Sequence, residues 1–163
     1  MNIKDLTRSV ELFAETPGAM GQDGPLRRVL LNGKTILSEF EGNVLNTRGA
    51  AYELESGLLL EDSNQKIIEF GAKYKWFNNE TLRFEGVYEV DIITCNKFIE
   101  CKNISWNDIK DLPKKINRIR SQLGSLQKLE IQENRVLEFY SKQQMPEILE
   151  GWLIKNNIKY YIG

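Results

Sequence analysis

The chain has 163 residues, and its composition excludes several classes of protein. Hydrophobic residues make up 41% and charged residues 28%, an ordinary globular mixture that excludes disorder along the whole chain. The formal net charge of −1 excludes a broadly basic nucleic-acid coat but is compatible with a local basic patch. The chain contains no histidine, so it cannot form a Ser-His-Asp triad, a Cys-His dyad or a Cys/His zinc site. An enzyme with this sequence must use carboxylates, lysine, tyrosine or a metal held by oxygen ligands.

No stretch of the sequence is predicted to enter a membrane. No apolar run approaches the ~18 residues that a membrane-spanning helix needs. Residues 1–13 contain acidic side chains and no continuous apolar stretch, so they do not have the pattern of a signal peptide. These features predict a protein that stays in the cytoplasm or is exported by a machine that recognises another signal.

The beginning of the chain differs in pattern from the rest. Residues 1–45 are predicted to form an N-terminal extension ahead of a domain over residues 46–163. Apolar residues at helical spacing predict a short helix over residues 3–15. Glycines and prolines concentrate in residues 16–25, which predicts a loop.

A β-hairpin is predicted at the end of this extension. The segments LRRVLL, at residues 26–31, and TILSEF, at residues 35–40, are strand-like. NGK between them is a turn signal of the kind that joins two antiparallel strands. We therefore expect the hairpin to lie outside the main core.

From residue 46 onward the hydrophobic pattern alternates between helical and strand-like periods. A helix that Thr47 can cap is predicted to run to about residue 60. The further predicted elements are strands at residues 66–77, 82–95 (one long strand or two short ones) and 97–104, a helix at 107–130, a strand at 135–141, a helix at 145–157 and a strand at 158–163. Pro113 is expected to separate or kink the first turn of the long helix. This order predicts an α/β fold with a mixed central sheet flanked by helices.

The stretch from Glu89 to Lys102 carries the candidate chemistry. Asp91 lies near the middle of one predicted strand, whereas Glu100 and Lys102 lie two residues apart on the next and therefore point to the same face. Their neighbours are apolar, so these charges lie in a hairpin where they are costly unless they bind something. Two carboxylates on one face can hold Mg²⁺, which acidifies a bound water and stabilises charge on a phosphate. Lys102 can then orient or help deprotonate that water, or neutralise the pentavalent phosphate.

Two alternatives remain open for these acids. Asp91 and Glu100 are equally compatible with surface charges on an edge hairpin, with Lys102 in a cross-strand ion pair. The leading helix offers either Glu53 or Glu55 as a third acid. Glu53 is favoured because it lies close to the apolar face of the helix.

The long helix is the most basic part of the sequence. Residues 110–128 contain six lysine or arginine residues and one aspartate. Lys114, Arg118 and Gln122 recur every four residues and form one polar stripe. Such a stripe can contact phosphates without reading sequence, or it can simply be a solvated face.

The candidate residues resemble the PD-(D/E)XK, or restriction-endonuclease-like, nuclease superfamily. Glu53 in a leading helix, Asp91 on a strand and Glu100-Cys101-Lys102 on the next correspond to its motif, although Val90 replaces the usual proline before the aspartate. The element order helix, three strands, helix, strand is similar to the core of that family, here followed by a C-terminal helix and strand. The resemblance implies hydrolysis of nucleic-acid phosphodiester bonds, in DNA or RNA, with Mg²⁺ or Mn²⁺.

The resemblance also implies a role for each residue. Asp91 and Glu100 would hold the metal with Glu53 completing the acidic cluster, and Lys102 would assist the attacking water. The residues that would receive phosphate are Lys114, Arg118 and Gln122.

Within this superfamily, the chain looks similar to the C-terminal nuclease modules of bacterial polymorphic toxins, including contact-dependent growth inhibition toxins. That similarity implies a protein that is secreted or delivered into the cytoplasm of a target cell and is neutralised by a cognate immunity protein. The alternatives are a cytoplasmic restriction or repair endonuclease and an α/β binding domain without catalytic activity.

Overall fold

A computed structural model describes residues 1–33 and 45–163 of the chain. The helices in these ranges are α1 (Ile3–Phe13), α2 (Pro25–Gly33), α3 (Leu45–Asp62), α4 (Leu112–Glu133) and α5 (Glu147–Lys155). The strands are β1 (Ile67–Asn78), β2 (Arg83–Thr94), β3 (Lys97–Lys102), β4 (Val136–Ser141) and β5 (Lys159–Ile162). No helix in the described ranges has both the length and the apolar character to cross a membrane.

The five strands form one mixed sheet in the order β1-β2-β3-β4-β5. Strand β3 pairs in parallel with β4, and β4 pairs in parallel with β5. Only two residues join β2 to β3, a length that an antiparallel pair allows and a parallel pair does not. The predicted α/β class with a mixed sheet is confirmed, and β2 is one long strand.

The hairpin prediction at residues 26–31 is wrong, because this segment forms α2. Pro25 occupies the first helical position, where its fixed φ suits a helix and its missing N–H costs nothing. Leu26 and Val29 are both fully buried, and their spacing of three residues places them on one face of a helix. The second predicted strand of the hairpin, at residues 35–40, lies outside the described residues.

The chain divides into two compact units. The first comprises Met1–Ala72 and Asp91–Cys95, and the second comprises Lys73–Val90 and Asn96–Gly163. The predicted boundary after residue 45 stays a prediction.

The first unit packs its three helices around aromatic side chains. The rings of Phe13 and Phe70 meet edge to face with centroids 5.1 Å apart. Gly57 of α3 lies against this pair, since a Cβ at that position would be 3.2 Å from each ring. The loop predicted at residues 16–25 is confirmed over residues 16–24, between α1 and α2, and it contacts β1 closely, whereas Pro25 already belongs to α2. Gly18 has φ +79°, and a Cβ there would lie 1.8 Å from the carbonyl oxygen of Phe70.

The second unit contains α4 and the parallel strands. Trp106–Asp108 forms a separate 3-10 turn and α4 begins at Leu112, so the expected break near Pro113 is confirmed. The Asp111 side chain caps α4 by accepting a hydrogen bond from the backbone N–H of Lys114. The buried face of α4 repeats at spacings of three and four through Ile116, Ile119, Leu123, Leu126 and Leu129.

Candidate active site

Strand β3 places Glu100 and Lys102 on one face of the sheet, as the sequence predicts. Glu100 is only 1% exposed, and its Oε1 lies 3.1 Å from Nζ of Lys102. The Lys102 side chain keeps 23% of its surface exposed. A buried carboxylate is therefore held beside an ammonium that reaches solvent.

Helix α4 adds a second donor to the same carboxylate. Gln122 donates from Nε2 to Oε1 of Glu100 over 2.8 Å. Because Oε1 accepts from both Gln122 and Lys102, the orientation of the carboxylate is fixed from two directions. The side chain of Gln122, predicted as part of a phosphate stripe, thus contacts the predicted metal ligand.

Lys115, which is not part of the predicted stripe, lies near Lys102. Lys115 is half-buried, and its pKa is lowered by burial first and then by the charges of Lys102 and Arg118. Lys115, Arg118 and Gln122 are separated by three and four residues, so they share one face of α4. Lys102 and Arg118 therefore lie close enough to Lys115 for their charges to act on it.

Lys114, by contrast, is exposed. A repeat of four residues drifts around a helix that has 3.6 residues per turn, so Lys114 lies away from the margin of the buried face. Lys115 precedes the buried Ile119 by four residues, which places it at the margin of the apolar face. The nucleic-acid contacts predicted for Lys114, Arg118 and Gln122 stay predictions.

A groove of about 440 Å³ runs beside Gln122. Its walls are Val87, Tyr88 and Glu89 of β2 and Arg118, Ser121, Gln122, Ser125 and Leu126 of α4. Gln122 belongs both to this groove and to the contact with Glu100.

The acids of helix α3 lie in the first unit. Glu53 is 7% exposed and accepts from Nη2 of Arg28 at 3.1 Å and 3.3 Å through its two carboxylate oxygens. Glu55 is less buried and pairs with the N-terminal amine of Met1 at 3.0 Å. Glu53 is therefore the more buried of the two acids, and its role in the site stays a prediction. Its pairing with Arg28 of α2 could not be seen in the sequence.

Asp91 is half-buried on β2, the strand next to β3 in the sheet. Across residues 1–33 and 45–163, no group of three or more Asp, Glu or Cys side chains is arranged to hold a metal ion. The carboxylates at these positions are hard oxygen donors of the type that Mg²⁺ and Mn²⁺ accept. The acidic cluster of Glu53, Asp91 and Glu100 stays a prediction.

Comparisons with other proteins identify no relative. No model of a known protein family, no curated protein and no solved structure matches this chain. The functional assignment therefore depends on the residues and contacts described above.

Proposed function

We propose that the protein is a metal-dependent nuclease that hydrolyses phosphodiester bonds of DNA or RNA. The observation that carries the proposal is the buried Glu100 carboxylate held between Lys102 and Gln122. A buried ion pair contributes little net stability, because the cost of desolvating two charges offsets their attraction. Gln122, which holds this pair, also lines a groove, so the pair is a candidate catalytic site.

Asp91 and Glu100 are the proposed ligands of Mg²⁺ or Mn²⁺, and Glu53 is the proposed third acid. Two carboxylates suffice for Mg²⁺, because this cation usually keeps several water ligands. A bound divalent cation would acidify a water molecule and polarise the phosphate.

The other proposed residues position the Glu100 carboxylate, the attacking water and the phosphate. The ammonium of Lys102 orients the attacking water and offsets the charge that develops on the phosphate. Gln122 holds the Glu100 carboxylate in one orientation. Lys114, Lys115 and Arg118 receive the flanking phosphates, which position a strand without reading its sequence.

The element order supports the restriction-endonuclease-like core that we propose. Helix α3, strands β1 to β3, helix α4 and strand β4 follow one another as helix, three strands, helix, strand. Helix α5 and strand β5 then form the C-terminal addition. The parallel pairing of β3 with β4 is compatible with a helical crossover through α4.

A cleavage assay tests the catalytic proposal. Purified protein is incubated with plasmid DNA and with total RNA, in Mg²⁺, in Mn²⁺ or in EDTA, beside Asp91→Ala and Lys102→Ala. Exposed residues supply the matched controls Asp23→Ala and Lys155→Ala. We expect metal-dependent cleavage of one pool that disappears in the first two variants and persists in the controls. A folded protein that cuts neither pool under any divalent metal would contradict the proposal.

The biological setting that we propose is a toxin effector delivered into the cytoplasm of a competing cell. The resemblance to toxin nuclease modules supports it, and the exposed Lys114 and Arg118 would suit an acidic immunity protein. Expression in a bacterial host should arrest growth for the wild type and not for Asp91→Ala. Harmless expression of a protein that cuts DNA in vitro would instead favour a restriction or repair enzyme.

An α/β binding domain without catalysis is the second candidate. The observation that favours it is the pairing of both buried candidate acids with cations of the chain, Glu53 with Arg28 and Glu100 with Lys102. The candidates differ in their response to metal. Mg²⁺ or Mn²⁺ should raise the melting temperature of the nuclease and not that of Glu100→Gln, whereas a binding domain should show no metal effect in either protein.

A further inference from the structure

A second pocket lies at the carboxyl ends of the parallel strands β3 and β4. The strands end in register, Lys102 opposite Ser141, and the backbone N–H of Lys142 donates to the carbonyl of Lys102 over 3.0 Å. The chain that follows each strand forms one wall of a pocket of about 400 Å³. In open α/β sheets, ligands bind in crevices outside the carboxyl ends of strands.

The lining of this pocket is polar and contains no cation. Its residues are Ser105, Trp106, Asn107, Asp108, Gln143 and Gln144. Amide side chains dominate, because three of the six residues carry one, and an amide donates and accepts hydrogen bonds in one plane. One carboxylate and no lysine or arginine make the lining unsuited to a phosphate. It suits a neutral planar group that offers both donors and acceptors.

Trp106 is the one buried member of this lining. Its side chain is 6% exposed, and among the residues that the structure describes its indole Nε1 has no hydrogen-bond partner. A buried donor that lacks an acceptor is costly, and such groups are few in folded proteins. Because Trp106 also lines the pocket, a ligand bound there would contact this residue and change the surroundings of its indole.

The pocket is close in the chain to the proposed catalytic lysine. Ser105 follows Lys102 by three residues, so their Cα atoms lie within about 11 Å of each other. A nucleic-acid strand that has one phosphate at Lys102 can therefore place the base of a neighbouring nucleotide in the pocket.

We propose that this pocket is a nucleobase subsite that prefers unpaired bases with an exocyclic amino group. The carboxylate of Asp108 accepts from that amino group, and the amides contact the remaining base edge. Adenine, cytosine and guanine carry such a group, whereas uracil and thymine do not. The base must be unpaired because a duplex already uses its Watson–Crick edge. The subsite rests on the proposed function, since it reads a base of the strand that is cleaved.

Nucleoside binding tests the subsite without any need for catalysis. The protein has three tryptophans, so its ¹⁵N spectrum should contain three indole N–H signals, and Trp106→Phe identifies that of Trp106 by its loss. Adenosine, cytidine, guanosine and uridine are then titrated in turn. We expect the first three to shift the Trp106 signal and uridine to bind about tenfold more weakly, as loss of one hydrogen bond to a charged group predicts.

A matched pair of substitutions tests the specificity. Asp108→Asn should weaken the binding of adenosine, cytidine and guanosine. It should also remove the discrimination against uridine, because an amide can donate a hydrogen bond to a base oxygen as well as accept one. Asp111→Asn makes the same change three residues away, at the cap of α4, and should leave all four affinities unchanged. Equal binding of all four nucleosides with no effect of Asp108→Asn would overturn the specificity, and no shift of the Trp106 signal would overturn the subsite.

The failure of the subsite and the failure of the nuclease are distinguishable. Cleavage of nucleic acid by a protein that binds no nucleoside would overturn the subsite and keep the nuclease. Nucleoside binding by a protein that cleaves neither pool would keep the subsite and overturn the nuclease.

Discussion

Replacing Lys102 with methionine isolates the electrostatic role of the ion pair on β3. Methionine keeps much of the length of the lysine stem but lacks the ammonium that lies 3.1 Å from Oε1 of Glu100. Glu100 is 1% exposed, so water cannot readily replace the lost cation. We expect Lys102→Met to lower the free energy of unfolding and to abolish cleavage.

The size of the loss follows from the burial of the two partners. Removing one partner of a buried ion pair costs about 3–5 kcal/mol. The lower end applies here, because the Lys102 side chain is 23% exposed and Gln122 still donates to the carboxylate. A loss of about 3 kcal/mol corresponds to a melting temperature lower by about 6–12 °C in a protein of this size.

The double variant Glu100→Gln with Lys102→Met tests the reasoning. It removes both charges and keeps their approximate volumes, so its stability should return to within about 1 kcal/mol of the wild type. It should nevertheless remain inactive. Stability and activity would then separate, as expected of a pair retained for function.

Urea unfolding followed by tryptophan fluorescence measures these changes in the relevant unit. Trp76, Trp106 and Trp152 all belong to the unit that contains Glu100 and Lys102. Lys155→Met, at an exposed position of α5, is the control and should change stability by less than about 0.5 kcal/mol. A loss below about 1 kcal/mol for Lys102→Met, or a double variant as unstable as the single one, would refute the electrostatic account.

Three further predictions concern other residues. Gly18→Ala should lower the free energy of unfolding by at least about 2 kcal/mol, because a Cβ at φ +79° would collide with the Phe70 carbonyl. An unchanged melting temperature would contradict this close approach. Glu53→Gln should lower the free energy of unfolding by about 1–3 kcal/mol, because it removes the carboxylate that pairs with the Arg28 guanidinium. Calorimetry that detects no change would show that this ion pair does not contribute to stability. Lys115→Gln should raise the urea midpoint at pH 7 while weakening binding to a single-stranded oligonucleotide, because burial lowers the pKa of Lys115 and so disfavours its charged form in the folded state. The stability gain should shrink as the pH rises through the folded-state pKa of Lys115 towards the ordinary lysine pKa of 10.5. A gain that grows with pH would contradict the assigned sign.

The sequence predicted the elements whose apolar residues repeat over several turns or alternate along a strand. It failed at residues 26–31, because LRRVLL is short enough to fit either period and NGK resembles a hairpin turn. Pro25 at the start and Gly33 at the end were the available signs of a helix. Short apolar segments are therefore better assigned from their flanking residues than from their own pattern.

The candidate site was predictable where its residues lie on one element. Glu100 and Lys102 share a strand face because they are two residues apart. The contacts of Gln122 with Glu100 and of Arg28 with Glu53 join separate elements, and no local spacing encodes them. Only the packing of α4 on the sheet, and of α2 on α3, brings these pairs together.

The parallel pairing of β3 and β4 makes the two following loops neighbours in space while they stay remote in sequence. The amino-acid sequences of residues 103–108 and 142–145 can therefore be substituted together without altering the register that holds Lys102 opposite Ser141. Exchange of both loops as a single cassette should alter which substrates are bound and leave the strand ladder intact. The scaffold thus offers a route to many ligand preferences on one sheet.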